Sequence, residues 1–392
     1  MQYRADNISG NNLSILGMGC MRFPREFEKT EAMLLEAVEQ GINFFDTAYL
    51  YPGSEETLGK ILAKHNLREK VYIATKLPLF LCKKSSDFDK YFEKQLERLK
   101  TDYIDYYFMH MLADDKRWET LCKLGIEEWI EKKKAEGKIR RVGFSFHGTQ
   151  PDFMKLLDIY DWEFCLIQYN YSDENYQAGV KGLGKAAAKG LPVFIMEPLL
   201  GGKLARGLPD KAVQLFKNAD PEMSPAGWAL KWLWNQTEIT VVFSGMSSMP
   251  ELKENLSVSK NAFAGMLSDK EKEAFENVKA IFNASYKIQC TGCNYCMPCP
   301  QGVNIPDCFS AYNTIYTMGR RTAMREYFMS VGALSAKQHF ASLCNKCGKC
   351  EKVCPQHIEI MNALEDVTKK LEFFWYRPLF AIVRKILYGL KC

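Results

Sequence analysis

Two short runs of cysteine form the most specific chemical pattern in the sequence. Their spacings are C-x2-C-x2-C-x2-C-P and C-x2-C-x2-C-x3-C-P. Each run contributes four thiols, namely Cys290, Cys293, Cys296 and Cys299 in the first and Cys344, Cys347, Cys350 and Cys354 in the second. Three cysteines at successive x2 spacings wrap one corner of an iron–sulfur cubane, and the fourth reaches a different cluster. The two runs therefore predict two 4Fe-4S clusters.

The ligands are expected to cross between the runs. Cys299 then completes the cluster of the second run, and Cys354 completes that of the first. The shorter last gap of the first run leaves Cys308 as a substitute for Cys299, although a buried apolar role for Cys308 is preferred.

Zinc and disulfides are the rival explanations of the cysteines. Zinc uses paired C-x2-C motifs with four ligands per site and gains nothing from four closely spaced cysteines in each run. Disulfides are rare in a reducing compartment, and the N-terminal MQYRADNISGNN has no apolar signal segment. We therefore expect a cytoplasmic iron–sulfur protein.

A second set of reactive residues follows apolar runs in the first 285 positions. Asp46 and Lys76 end INFFD and VYIATK, His110 ends YIDYYFMH, and Tyr51 comes five residues after Asp46. A lysine cation lowers the pKa of a neighbouring phenol from about 10, and an aspartate keeps that lysine charged. Neutral imidazole can orient a substrate oxygen. This set suits carbonyl reduction, in which a proton donor is needed where negative charge develops. Tyr49 is a nearby alternative to Tyr51 as the proton donor, but the spacing favours Tyr51.

The elements that position these residues alternate between strand and helix. Eight apolar runs lie at 15–21, 42–51, 71–77, 103–112, 140–148, 164–172, 191–202 and 239–246. Amphipathic stretches between them predict helices over 30–41, beginning at a Thr30 cap, and over 87–100 and 118–137. Near-continuous apolar strands indicate parallel pairing, and eight units in about 285 residues predict an α/β fold, the (β/α)8 TIM barrel. A doubly wound open sheet is the alternative, but LGMGCMRFP lacks its G-x-G-x-x-G fingerprint. A short hairpin is predicted before the first barrel strand.

The residues quoted above resemble a known family. Asp46-Thr-Ala-x-x-Tyr51, Lys76 and His110 resemble, in order and spacing, the tetrad of the aldo/keto reductases. The resemblance covers most of 1–285 and includes SILGMGCMR, IQYNYS, EPLLGG and SGMSSMPELKEN. The cysteine region resembles the ferredoxin-like extension of the subgroup that contains 4Fe-4S clusters.

The resemblance implies roles for individual residues. Tyr51 would be the general acid, Lys76 and Asp46 its tuning pair, and His110 the group that orients the carbonyl. Ser145 and Gln168 match positions that hold the nicotinamide carboxamide of NADPH or NADH. The positions that match the pyrophosphate and adenosine end are Leu199, Gly201, Ser244, Gly245, Met246, Glu254 and Asn255. The implied reaction is hydride transfer from NAD(P)H to an aldehyde or ketone without a metal.

The sequence departs from the family pattern in two places. Phe146 and His147 follow Ser145 where an asparagine is common, so one carboxamide contact is missing or supplied otherwise, and His147 is expected to line the pocket. Glu251 stands where many relatives place a basic or neutral side chain near the 2′-phosphate, which a carboxylate repels. Lys253 is the nearest cation, and NADH therefore stays open beside NADPH.

Composition and charge limit the classes of protein to which the chain can belong. The chain has 392 residues, is 47% hydrophobic and 25% charged, and carries a net charge of +5, so it is globular and does not require nucleic acid. No apolar stretch reaches the length of a membrane span. We predict a barrel over 1–285, a small α-helical ferredoxin-like domain over 286–370 and an aromatic, basic tail helix over 371–392. The tail is expected to pack on protein, with peripheral membrane contact as its alternative.

Three hypotheses join the two halves. The barrel and the clusters exchange electrons, through a bound flavin or a redox protein partner, although no convincing flavin motif is present. Alternatively, the barrel is a working carbonyl reductase whose clusters are structural or regulatory. In the third, the chain is a ferredoxin-like electron carrier, and its barrel is a docking scaffold with little catalysis. The tetrad argues against the third hypothesis, and the pairing of the clusters argues against the second.

Overall fold

The computed structural model describes residues 1–285, 287–288, 290, 296–328, 330–331, 338–354, 358–374 and 378. The chain divides into two compact units, one formed by residues 1–205 and 221–272 and the other by 206–220 and 273–392. The domain boundary at residue 286 stays a prediction. Apart from 371–374 and 378, the predicted tail helix lies outside the described residues.

Eight parallel strands close the barrel of the first unit, as the sequence predicts, and an antiparallel hairpin, β1–β2, precedes them. The strands are β1 Tyr3–Ala5, β2 Asn12–Ser14, β3 Leu16–Gly19, β4 Phe44–Asp46, β5 Tyr72–Leu77, β6 Ile104–Leu112, β7 Ile139–Phe146, β8 Cys165–Gln168, β9 Val193–Met196 and β10 Ile239–Ser244. β10 pairs with β3 to complete the circle, which rules out the open sheet. The (β/α)8 fold is confirmed.

Aromatic side chains fill the inside of the barrel. Phe44 packs edge-to-face on Phe194 and Phe243, with ring centroids 5.1 and 5.0 Å apart. Phe108 meets Phe164 in the same way at 4.9 Å. The barrel interior is therefore a packed core, and chemistry is confined to the strand ends.

Helices follow the strands and bury their apolar faces against them. Those of the first unit and its borders are Phe27–Glu39, Ser54–Lys64, Ser86–Leu99, Asp115–Cys122, Ile126–Ala135, Gln150–Leu156, Gly179–Ala188, Lys203–Arg206, Pro225–Trp234, Met249–Lys260 and Asp269–Ala284. Two helix predictions were wrong in detail. The first helix begins at Phe27, three residues before Thr30, and the hydroxyl of Thr30 donates to the carbonyl of Pro24 instead of capping the helix. The stretch 118–137 breaks where Gly125 adopts a φ of 81°.

The second unit is helical and has its own core. Its helices include Asp210–Ala219, Ile305–Thr317, Arg320–Phe328, Lys349–Lys352 and Ile360–Leu371. Phe309, Tyr327, Phe340 and Leu364 are buried together in that core, and Cys308 lies fully buried among them. No helix in the described part of the chain is long and apolar enough to cross a membrane.

Two helical glycines make a matched test of packing. A Cβ on Gly59 would lie 2.3 Å from the backbone oxygen of Arg98, whereas a Cβ on Gly184 meets nothing within 4 Å. We expect Gly59→Ala to lower the free energy of unfolding by about 1–3 kcal/mol, because the two helix backbones must separate. Gly184→Ala should raise it by about 0.5–1 kcal/mol. Urea unfolding measures both; equal stability of Gly59→Ala and the parent would contradict the close packing.

Candidate active site and cysteine cavity

A buried ion pair lies at the carboxyl ends of β4 and β5. Lys76 Nζ donates to Asp46 Oδ1 at 2.5 Å and to the carbonyl oxygen of Thr47 at 2.7 Å. The Lys76 side chain is 1% exposed. Burial acts to lower the pKa of Lys76, but Asp46 and Tyr51 outweigh it and the pKa is raised. Burial raises the pKa of Asp46 against the opposing effect of Lys76. The lysine is therefore held as a cation.

Tyr51 lies beside this cation, in the turn between β4 and the helix Ser54–Lys64. Lys76 Nζ is 4.8 Å from the centroid of the Tyr51 ring. The expectation of a lowered pKa for Tyr51 was wrong, since burial raises that pKa by more than Lys76 lowers it. Tyr49 is engaged elsewhere, with its ring 5.0 Å from that of Tyr91 and 4.5 Å from the Arg98 guanidinium.

Two histidines complete the polar wall of this site. The imidazole of His110 stands edge-on to the Tyr51 ring, with centroids 6.2 Å apart. His110 is buried, and its Nδ1 has no hydrogen-bond partner among the described residues. Burial, Lys76 and His147 hold the pKa of His110 well below its usual value. Burial and Lys76 lower the pKa of His147 to about 4. Both imidazoles are therefore neutral near pH 7.

The residues matched to the nicotinamide end lie at the same ends of β7 and β8. Ser145 Oγ accepts the backbone N–H of Met111 at 2.8 Å. Gln168 Oε1 accepts from Gln177 Nε2 at 3.0 Å, which leaves the Gln168 amide nitrogen as a donor. These contacts fix both side chains at the mouth of the barrel.

The residues that match the pyrophosphate and adenosine end of the nucleotide differ in how exposed they are to solvent. Asn255 Nδ2 donates to Ser244 Oγ at 2.8 Å, and both residues are buried, as is Met246. The open positions are Gly201, at a φ of 67°, and Gly245, since a Cβ at either would meet nothing within 4 Å. Leu199 and Glu254 are half-buried. The backbone is therefore most approachable at the two glycines.

Glu251 has a local structural partner that its sequence position does not indicate. Its carboxylate accepts from the backbone N–H of Ser247 at 2.8 Å, and the hydroxyl of Ser248 accepts the N–H of Glu251. The carboxylate thus helps to cap the helix Met249–Lys260.

A cavity of about 130 Å³ in the second unit is lined by cysteines of both runs. The thiols on its wall belong to Cys296, Cys299, Cys344, Cys347 and Cys350. No three acidic, histidine or cysteine side chains of the described residues converge on one point. A cubane needs no such convergence, because each of its irons takes one thiolate. The donor set therefore fits an iron–sulfur cluster.

The ligand prediction also involves Cys293, as a ligand, and Cys308, as a substitute for Cys299. Cys293 lies outside the described residues. Cys308 does not line the cavity, and its Sγ lies 3.8 Å from the carbonyl oxygen of His339 and 4.0 Å from Tyr327 Oη. The wall thus brings Cys299, and not Cys308, beside the second run.

Sequence families match both parts of the chain. Residues 15–279 match the aldo/keto reductase family, and residues 289–359 match a 4Fe-4S dicluster domain. The chain belongs to the aldo/keto reductase family. It is therefore an oxidoreductase with a C-terminal iron–sulfur domain, as the motifs predict.

Individual relatives of this aldo/keto reductase support the assignment. The uncharacterized oxidoreductase YqkF of Bacillus subtilis is 28% identical in an alignment that covers 71% of this chain and 96% of YqkF. Protein tas of Escherichia coli is 36% identical, over 65% of this chain and 92% of its own. Aldo-keto reductase AKR11C1 from Bacillus halodurans, in its holo form, shares the fold with a TM-score of 0.59 at 24% identity, covering 71% of this chain and 96% of its own.

A buried hydrogen-bond network lies behind Lys76 of this aldo/keto reductase, and no sequence motif indicates it. Gln95 Nε2 donates to the carbonyl oxygen of Lys76 at 3.1 Å and to Glu55 Oε1 at 2.9 Å. Thr75 and Arg98 also donate to the Glu55 carboxylate. The network holds the strand that bears Lys76 against two helices. Its sequence signal is weak, because Glu55 reads as an ordinary acid in a first helical turn.

The backbone next to His110 is strained. Met111 has a φ of 55°, and the β6–β7 register shifts between Met109 and Leu112. The hydroxyl of Ser145 satisfies the Met111 N–H at this irregularity. Strain of this kind persists only where the surroundings impose it. Ser145 therefore helps to set the position of His110.

We expect Ser145→Ala to lower kcat by about tenfold, since an unsatisfied N–H costs about 1–3 kcal/mol and releases the strained backbone. Ser145→Thr, which keeps a hydroxyl, should recover most of the loss. Steady-state kinetics and the nucleotide Kd separate the effects. A weaker nucleotide Kd with an unchanged kcat would restrict Ser145 to carboxamide binding.

Proposed function

We propose that this aldo/keto reductase uses NAD(P)H to reduce an aldehyde or ketone, with clusters in its C-terminal domain that exchange electrons. The observation that carries the barrel half is the buried Lys76–Asp46 pair beside Tyr51 and neutral His110. A buried cation next to a protonated phenol is an arrangement for delivering a proton as negative charge develops.

Each residue of this set has one task. Tyr51 keeps its proton across the neutral range because its pKa is raised, and it gives that proton to the carbonyl oxygen. Lys76 stabilises the phenolate left behind, and Asp46 keeps Lys76 charged and in place. His110 orients the carbonyl oxygen through a neutral ring nitrogen. The nicotinamide, when bound, supplies the hydride.

The nucleotide is proposed to lie across the strand ends from Ser145 and Gln168 toward Gly201 and Gly245. The aldo-keto reductase from Klebsiella pneumoniae, of the same fold, has been solved in complex with NADPH. Both nucleotides remain candidates here, because the carboxylate of Glu251 disfavours a 2′-phosphate that comes close to it.

Two 4Fe-4S clusters are proposed in the C-terminal domain. Cys299, Cys344, Cys347 and Cys350 would hold one of them, and these four line the same cavity, together with Cys296. Cys290, Cys293, Cys296 and Cys354 would hold the other. The clusters would supply one-electron chemistry, so two of them together match the two electrons of one hydride. A flavin or a protein partner would divide the electron pair.

An anaerobic titration with NADH and then NADPH tests whether the halves are joined. We expect the nicotinamide absorbance to fall as the EPR signal of reduced clusters rises, with about two clusters reduced per nucleotide oxidised. Clusters that stay oxidised while carbonyl turnover proceeds would remove electron exchange from the proposal. Clusters that are reduced by an external donor, with no carbonyl turnover, would favour the electron carrier with a scaffold barrel.

The pKa directions predict a flat pH profile for carbonyl reduction. His110 and His147 have lowered pKa values and stay neutral above them, while Tyr51 has a raised pKa and stays protonated below it. We expect kcat/KM to vary little between about pH 6 and pH 9. A steady-state profile over that range measures it. An inflection near neutrality would show that one of these groups titrates there.

A further inference from the structure

We propose that the surface around Cys347 is the docking site of an acidic one-electron carrier protein. The inference rests on the proposed role of Cys347 as a cluster ligand. It concerns a face made by the loop and short helix of residues 345–353, which we call the Cys347 face.

The Cys347 face is where the cysteine cavity comes closest to solvent. Cys347 is exposed, while Cys344 and Cys350 are half-buried. Lys349 and Val353 form part of the cavity wall at this face, and Val353 is 50% exposed. A cluster held here would therefore be separated from a bound partner by few atoms.

Lysines outnumber acidic residues on this face. Lys346, Lys349 and Lys352 are all exposed. Neither Lys349 nor Lys352 forms an ion pair with a residue that the structure describes. Glu351, the one acidic residue between 345 and 353, is half-buried, and its carboxylate accepts the backbone N–H of Met361 at 2.8 Å. Lys346 alone is paired, with Glu365.

Val353 is exposed beside Lys349 and Lys352, which form no ion pair with a described residue. This face therefore has the apolar centre and polar rim that are typical of a transient protein interface. The lysines attract an acidic partner over about 10 Å at 0.1 M salt and raise its rate of encounter. In each encounter one electron passes from the cluster, which the nucleotide has reduced, to the carrier, so the cluster is oxidised by one electron as the carrier is reduced by one. No atom or proton moves between the proteins.

Binding of purified flavodoxin, an acidic one-electron carrier, tests the proposal on the full, cluster-loaded chain under anaerobic conditions. The variant is Lys349→Glu with Lys352→Glu. The control, Lys60→Glu with Lys181→Glu, changes the charge equally at two exposed lysines of the barrel unit. We expect the Kd to weaken at least tenfold in the variant and to stay unchanged in the control. Binding should also weaken when salt rises from about 50 to about 300 mM.

Three outcomes would overturn the docking site. They are equal weakening in both double variants, no weakening in either, and lysine-dependent binding to phosphatidylglycerol vesicles without binding to flavodoxin. Iron content and cluster EPR are measured on the same samples. A chain without 4Fe-4S clusters overturns the proposed function itself, whereas a cluster-loaded chain that ignores flavodoxin overturns only the docking site.

Discussion

Replacing Tyr51 with phenylalanine is expected to lower kcat for carbonyl reduction by about 10²–10⁴-fold, because the proton donor is removed. Little else changes at the site, since the ring still packs beside Lys76 and His110. The nucleotide should therefore bind with an unchanged Kd. Single-turnover absorbance and a fluorescence titration measure the two quantities.

Tyr49→Phe is the matched control for this experiment. Tyr49 lies two residues away, and its ring packs on Tyr91 and Arg98. We expect its substitution to leave kcat within about twofold. Unchanged turnover in Tyr51→Phe, or equal losses in both variants, would contradict the assignment of the general acid.

The second large effect concerns iron. The anaerobically purified chain should hold about eight irons, four in each of two cubanes. Cys344→Ser should lower this number to about four, because it removes one thiolate from the cluster that we propose Cys299 and the second run hold, and it leaves the other proposed cluster whole. Iron analysis and the visible absorbance of the clusters measure the loss.

Cys122→Ser supplies the control, since Cys122 is a half-buried thiol of the barrel unit far from both runs in sequence. Its iron content should equal that of the parent. Stoichiometric zinc in place of iron would contradict the cluster assignment altogether. Loss of all iron in Cys344→Ser would instead contradict independent assembly of the two clusters.

The sequence predicts the barrel well because strands that are buried on both faces have apolar residues at almost every position. Strands such as Ile104–Leu112 are apolar along almost their whole length, and parallel pairing follows from that pattern. Helix ends are less well predicted. The hydroxyl of Thr30 could cap a helix or bond within one, and only its place beside Pro24 decides between them.

The sequence shows the type of each candidate site residue, but it does not show the environment of its side chain. Asp46, Lys76 and His110 end strands, and parallel strands bring those ends together. The raised pKa of Tyr51 depends on how deeply the ring is buried, which a motif does not encode. Glu55 and Gln95 are on different helices, 40 residues apart, and only packing shows that they meet behind Lys76.

The most direct test of the central claim counts products. The cluster-loaded protein is mixed anaerobically with NADPH, or NADH in parallel, and methylglyoxal as a probe carbonyl, and both nucleotide and alcohol are measured. We predict about one alcohol formed per nucleotide oxidised, at a rate about 10²–10⁴-fold lower with Tyr51→Phe. Nucleotide oxidation that leaves the carbonyl intact and appears only as reduced clusters would contradict it.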